Sequence, residues 1–334
     1  MKDPRFQHEY MMDNVDRSGA YSGGDFHAWQ EAQRAQLGKL LGMHTFRKCD
    51  DALEVEWERE EDGYTEYRLC FNTEENFRAL AHLLIPKGVR QPVPAIICLQ
   101  GHSKGMHISL GRPIYPGDEQ SINCGDRDFA RQAIKEGYAA FVLEQRGFGE
   151  SGGDEIGPRC HQPAVAAMLL GRTLIGERVW DVSRSIDLME KHFPQIDAAR
   201  IAVMGNSGGG TATIYAAAMD ARLAAAMPSC AFCGFKESIG VQHHCICNYV
   251  PGIMEYFDMG DLTGLIAPRP LVIINGLTDS IFPIDSAKRE YAVTEACYVA
   301  AGAPDKCAHI TGPEGHRFYA ALGWPRFNAI TDWK

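Results

Sequence analysis

The chain has 334 residues, 45% of them hydrophobic, which is enough to bury a large core in one α/β domain or in one domain with an appendage. Its net charge of −10, with acidic and basic residues interspersed, gives no electrostatic reason to seek nucleic acid or an anionic membrane surface. No run of about 18 apolar residues exists to span a bilayer, the segment Met1–Gly19 lacks the apolar stretch of a secretory leader, and the 11 cysteines are odd in number, so reduced thiols in a cytoplasmic protein are expected.

Residues 1–51 read as an N-terminal helical extension and 52–334 as the main body. From Asp25 to Leu41 the pattern is helical, with Phe26, Trp29, Ala32, Leu37, Leu40 and Leu41 sharing one broad face. Ala52–Glu58, Tyr64–Phe71 and Phe77–Pro86 then alternate like antiparallel strands, with a tight turn at Glu61-Asp62-Gly63. Ala95–Leu99, Ala139–Leu143, Ile201–Met204, Ala224–Met227 and Leu271–Asn275 are apolar on both faces, as buried parallel strands are. Helical patterns separate them at Arg127–Glu136, Glu177–Phe193, Gly208–Asp220 and Ser286–Ala301. Strand and helix in alternation predict a mostly parallel central sheet with helices on both faces. Lys104–Asp126, Gly152–Gly176 and Cys233–Asp258 break the rhythm after strand ends, where loops of such a sheet build a binding crevice, and they are read as insertions that roof it.

The most informative segment is Ile201-Ala202-Val203-Met204-Gly205-Asn206-Ser207-Gly208-Gly209, a strand followed by G-x-S-x-G and a helix. Glycines flank the serine because the turn is too crowded for a Cβ, and the serine is held at the strand tip above a helix N-terminus. Ser207 is therefore the candidate nucleophile. On such a scaffold the acid and the histidine follow the serine in the chain. Leu271–Asn275 leads to Asp279 at a strand tip, where a carboxylate can hold an imidazole by its Nδ1–H; Asp285, just before the next helix, suits a capping role. Ala308–Thr311 reads as the last strand, and Pro313 and Gly315 allow a tight loop that points His316 back over the sheet, whereas His309 sits in mid-strand as a packed residue would. An oxyanion hole needs two N–H donors, assigned to the backbone of Gly208 and of His102 in the loop after Ala95–Leu99.

The segments Leu99-Gln100-Gly101-His102-Ser103, Glu144–Ser151, Gly205–Gly209, Ile266–Leu271, Asp279 and Gly315–Phe318 resemble the dienelactone hydrolase-like and acetyl xylan esterase-like branch of the α/β-hydrolases, from about Ala52 to the C-terminus. The resemblance implies the α/β-hydrolase fold and the hydrolysis of small esters, often deacetylation of carbohydrates. Dienelactone hydrolases carry a cysteine where Ser207 stands, and acetyl xylan esterases typically have His-Gly-Tyr where this chain has Gln100-Gly101-His102.

The expected activity is that of a short-chain carboxylic ester hydrolase acting on a small-molecule ester, an acetylated carbohydrate among them, without nucleic acid, membrane or cofactor; homo-oligomerisation is left open. A small-substrate amidase of the prolyl-oligopeptidase kind shares the same core, and a binding protein on a hydrolase scaffold would lack one of Ser207, Asp279 and His316. Cys230-x-x-Cys233 followed by His243-His244-Cys245-x-Cys247 offers thiolates and imidazoles, but the spacing matches no common zinc module, so no metal is expected. Arg146 is read as bracing the site by hydrogen bonds and Trp180 as core.

Overall fold

The computed structural model describes residues 2–90 and 92–334. β1 (Glu54–Glu61), β2 (Tyr64–Glu74) and β3 (Phe77–Pro86) form an antiparallel meander, and β4 (Val93–Leu99), β5 (Ala139–Leu143), β6 (Ile196–Asn206), β7 (Leu223–Ser229), β8 (Leu271–Gly276) and β9 (Cys307–Gly312) run parallel. Among the described residues these nine strands make one sheet in the order β1-β2-β3-β5-β4-β6-β7-β8-β9, with β3 antiparallel to β5. This is the mostly parallel sheet that the strand–helix alternation predicts, in the α/β-hydrolase fold that the resemblance implies.

The period of two explains why the parallel strands read as unbroken apolar runs. Val93, Ala95, Ile97 and Leu99 of β4 enter one apolar cluster, while Ile96 and Cys98 enter the other. Ile201 and Val203 of β6, and Leu271 and Ile273 of β8, face the first cluster; Ala202, Met204, Val272 and Ile274 face the second. Helices cover both sides. α2 (Phe26–Leu41), α6 (Leu174–His192), α7 (Gly208–Met219), α8 (Met259–Gly264) and α9 (Ile284–Ala300) supply side chains to the first cluster, and α4 (Phe129–Lys135) and α10 (Ala320–Thr331) to the second. β1 is an exposed edge carrying Glu54, Glu56, Glu58, Arg59, Glu60 and Glu61, charges that discourage pairing with another chain. No helix among the described residues is long and apolar enough to cross a membrane.

The helix predicted from Asp25 forms as α2, with the Asp25 carboxylate accepting the N–H groups of His27 and Ala28. Phe26, Leu37 and Leu41 share the first cluster with the central strands, and the Gln30 amide donates to the carbonyls of Leu265 and Ala267. Ala32, placed on the buried face by the periodicity, is exposed. α1 (Pro4–Asn14), α3 (Asp118–Gly125) and α5 (His161–Leu169) have no counterpart in the sequence reading, nor does α10, whose pattern Pro325 interrupts. Trp180 is half-buried and stacks on Phe46 at 5.2 Å.

Two arginines account for the motifs around them. Arg146 is buried and paired with Asp181 at 2.7 Å and Glu74 at 2.9 Å, and removing one partner of such a buried pair costs about 3–5 kcal/mol. Arg269 donates to the carbonyls of Ala217, Asp220, Leu223 and Ile266, tying the end of α7 to the approach of β8.

His309 lies on β9 with Nε2 at 3.0 Å from Asn275 Oδ1, and burial pushes its imidazole down to about 4. The unfolded chain therefore takes up a proton between pH 6.5 and 4 that the folded chain refuses. The contribution is intact above pH 6.5 and is lost as pH falls toward 4, by up to about 3 kcal/mol. Urea unfolding between pH 7 and 4.5 is expected to show a smaller acid loss of stability in His309→Gln than in the parent, and parallel curves would contradict this placement.

Candidate active site

β6 ends at Asn206, and the chain turns into α7 through Ser207 at φ 55°, ψ −123°. That positive φ is a strained setting for a residue with a side chain. It is held by the Ser207 N–H bond to the Ser229 carbonyl at 2.8 Å and by the Thr211 N–H bond to the Ser207 carbonyl at 2.8 Å. The turn is crowded as well: a Cβ at Gly209 would overlap the Leu99 carbonyl oxygen. Strand tip, strained turn and helix start together lift the Ser207 side chain into a cleft of about 480 Å³.

His316 lines the same cleft. It stands four residues beyond β9, and Asp279 stands three beyond β8, so two neighbouring strand tips deliver the pair. Backbone bonds zip the two loops together: the Leu277 N–H donates to the Gly312 carbonyl at 2.8 Å and the Thr278 N–H to the Glu314 carbonyl at 3.0 Å. The result is a 2.8 Å bond between His316 Nδ1 and Asp279 Oδ2. Asp279 also accepts the N–H groups of Ile281 at 2.9 Å and Phe282 at 3.3 Å. Burial opposes its ionisation, but the His316 bond and these two N–H donors outweigh burial and hold the carboxyl below its usual range. The imidazole stacks on Phe282 at 6.0 Å, and both residues line the cleft. Asp285 is exposed in the first turn of α9, where Pro283 occupies the cap position, so it makes no side-chain cap as the sequence reading expected.

The loop after β4 presses against this turn. A Cβ on Gly101 would meet the Asn206 carbonyl at 2.8 Å and Ser207 Cβ at 3.2 Å, and the His102 ring lies over Gly208. Gln100 anchors the loop from below, donating to Glu144 at 2.6 Å while its carbonyl accepts from Gln145 at 2.6 Å. Gly208 and His102, the two candidate oxyanion donors, thus flank Ser207.

The insertions reach the cleft mostly through polar side chains. Pro158, His243, His244, Cys245 and Asn248 reach the cleft, whereas Ile114, Leu169 and Tyr249 are exposed and line none of it. Arg127 also lines it, from the start of the region read as a helix, where nothing in the sequence marks it. Its guanidinium donates to Ser121 at 3.0 Å and has no carboxylate partner among the described residues. Cys230 and Cys233, grouped with the histidines by sequence, lie elsewhere: Cys230 sits behind the His316–Asp279 pair, and Cys233 is packed in the core. A larger apolar hollow of about 610 Å³ between α1 and residues 235–255 shares Asn248 with the cleft and is lined by none of Ser207, Asp279 and His316.

A Bacillus subtilis (strain 168) protein named "Putative hydrolase YtaP" is 26% identical over 311 residues, covering 90% of this chain and 98% of that one. A crystal structure of a "putative acetyl xylan esterase" from Bacteroides fragilis NCTC 9343 superimposes with a TM-score of 0.77 at 20% identity, over 97% of this chain and 84% of the other. A glucuronoyl esterase from Solibacter usitatus does so with a TM-score of 0.70 at 16% identity, over 96% and 99%. At these identities the structural likenesses establish the fold. The model of the Abhydrolase family matches residues 8–311, and the chain belongs to that family.

Proposed function

We propose that the protein is a serine-dependent carboxylic ester hydrolase. The observation that carries this reading is one cleft holding Ser207 on a strained strand tip and His316 bonded at 2.8 Å to a buried Asp279. In this reading Ser207 Oγ attacks the ester carbonyl carbon while His316 Nε2 takes its proton. The developing oxyanion receives the backbone N–H groups of Gly208 and His102. His316 then returns the proton to the leaving alkoxide, and water, deprotonated by the same imidazole, hydrolyses the acyl-enzyme. Asp279, ionised and fixed by three donors, holds the imidazole with Nε2 free to accept and offsets its charge when protonated.

A short acyl group, acetyl before butyryl, on a larger polar alcohol such as a carbohydrate is the substrate class that the cleft supports. His102, His243, His244, Arg127 and Asn248 are hydrogen-bonding walls for hydroxyl groups, and Ile281, Phe282 and Pro158 supply a short apolar surface. The names of the similar structures, acetyl xylan and glucuronoyl esterases, point the same way. The eleven cysteines, all free thiols, support a reducing compartment.

Asp279→Asn is expected to lower kcat on p-nitrophenyl acetate by on the order of 10³–10⁴-fold. Asp285→Asn, exposed and outside the cleft, should leave it within about twofold. The reverse order would assign the acid to the wrong carboxylate. Across a series of p-nitrophenyl esters, kcat/KM is expected to fall beyond about four acyl carbons, each misfit methylene costing about 1–3 kcal/mol. A constant that climbs to octanoyl would show an open, lipase-like acyl site.

A further inference from the structure

Beside the candidate active site, and sharing His102 and Cys245 with its cleft, lies a cluster of thiols to which the proposed ester hydrolysis gives no role. His102 Nε2 stands 3.0 Å from Cys247 Sγ, and Cys247 Sγ stands 3.3 Å from Cys245 Sγ. Cys160 Sγ completes the group, and the four ligand atoms all lie within 4.8 Å of one another. A tetrahedral zinc with bonds of about 2.3 Å to sulfur and about 2.0 Å to nitrogen separates its ligand atoms by about 3.5–3.8 Å, so a small relaxation would seat the ion. We propose that His102, Cys160, Cys245 and Cys247 bind one Zn²⁺ as a closed structural site. Binding releases the three thiol protons to solvent and leaves the imidazole neutral.

Two further observations point to an ion. The first is Arg178, whose guanidinium donates to Cys160 Sγ at 3.2 Å and to the Arg146 carbonyl at 2.7 Å. It is 1% exposed, its Nη1 has no hydrogen-bond partner, and no carboxylate pairs with it among the described residues. A buried cation without a counter-charge is costly. Zinc with three thiolates and one imidazole carries a net charge of −1, which Arg178 balances.

The second is topology. Each ligand comes from one of the three segments around the cleft: His102 from the loop after β4, Cys160 from the insertion after β5, and Cys245 and Cys247 from the insertion after β7. The insertions after β5 and β7 meet in a small apolar cluster of which Cys160 and Cys247 are themselves members. Zinc would staple all three and fix the His102 backbone beside Ser207. Soft thiolates exclude magnesium and calcium, and four protein ligands leave no open position for chemistry, so the ion holds structure.

The test needs no substrate, so it stands apart from the ester-hydrolase reading. Full-length protein expressed and purified in zinc-supplemented medium should carry about one zinc per chain by mass spectrometry. Protein exchanged with Co²⁺ should show the visible bands of tetrahedral thiolate coordination. Cys160→Ser and Cys245→Ser should lose the metal, and Cys124→Ser, at an exposed cysteine, should keep it. Because those variants can misfold, the cobalt spectrum of the parent chain decides. Trace metal in the zinc-grown parent together with no thiolate bands after cobalt exchange overturns the site, as does full retention of zinc in Cys245→Ser.

Discussion

The turn at Ser207 governs the geometry of everything around it. A residue with a side chain held at φ 55° needs surroundings that leave it no other choice. Those surroundings are the bonds to Ser229 and Thr211 and a helix that starts so close to β4 that Gly209 has no space for a Cβ. The same closeness brings the loop after β4 against the turn, which is why Gly101 and His102 flank Ser207. A candidate side-chain nucleophile and two candidate N–H donors thus follow from one packing constraint.

The second constraint acts two strands away. β8 and β9 are parallel neighbours, so their tips rise on the same side of the sheet as the tip of β6. Backbone bonds between the two loops then set the Asp279–His316 contact, independent of long flexible side chains. A carboxylate that three donors hold below its usual range stays ionised wherever the imidazole can act as a base. The sheet thus fixes relative position to within a hydrogen bond, and the roofing loops are left to shape the cleft.

What was legible in the sequence is what depends on local rules. The buried strands showed as apolar runs because both faces are covered. The G-x-S-x-G turn showed because its glycines answer a crowding that exists only between a strand and a helix. The pairing of Asp279 with His316 could be expected because each follows a strand at its tip, and the two side chains do meet there. The roof was not legible. Ile114, Leu169 and Tyr249 look like wall residues by size, yet they face solvent, and the walls are His243, His244, Asn248 and Arg127. Which side chain of a long insertion turns inward is set by tertiary packing, for which periodicity carries no signal. The neighbourhood of the cysteines was not legible, for the same reason. Cys230 and Cys233 are close in sequence to Cys245 and Cys247, but the fold packs Cys233 in the core, sets Cys230 against the Asp279–His316 pair, and brings Cys160 and His102 from other loops.

In the proposed mechanism Ser207 becomes acylated. Its most direct test is labelling with a fluorophosphonate, followed by peptide mass spectrometry and residual ester hydrolysis measured on the same sample. One adduct per chain on the peptide containing Ser207, with hydrolysis falling in proportion to labelling, is the predicted result. Ester hydrolysis that persists with Ser207 fully labelled, or is lost with the adduct on another residue, would contradict it.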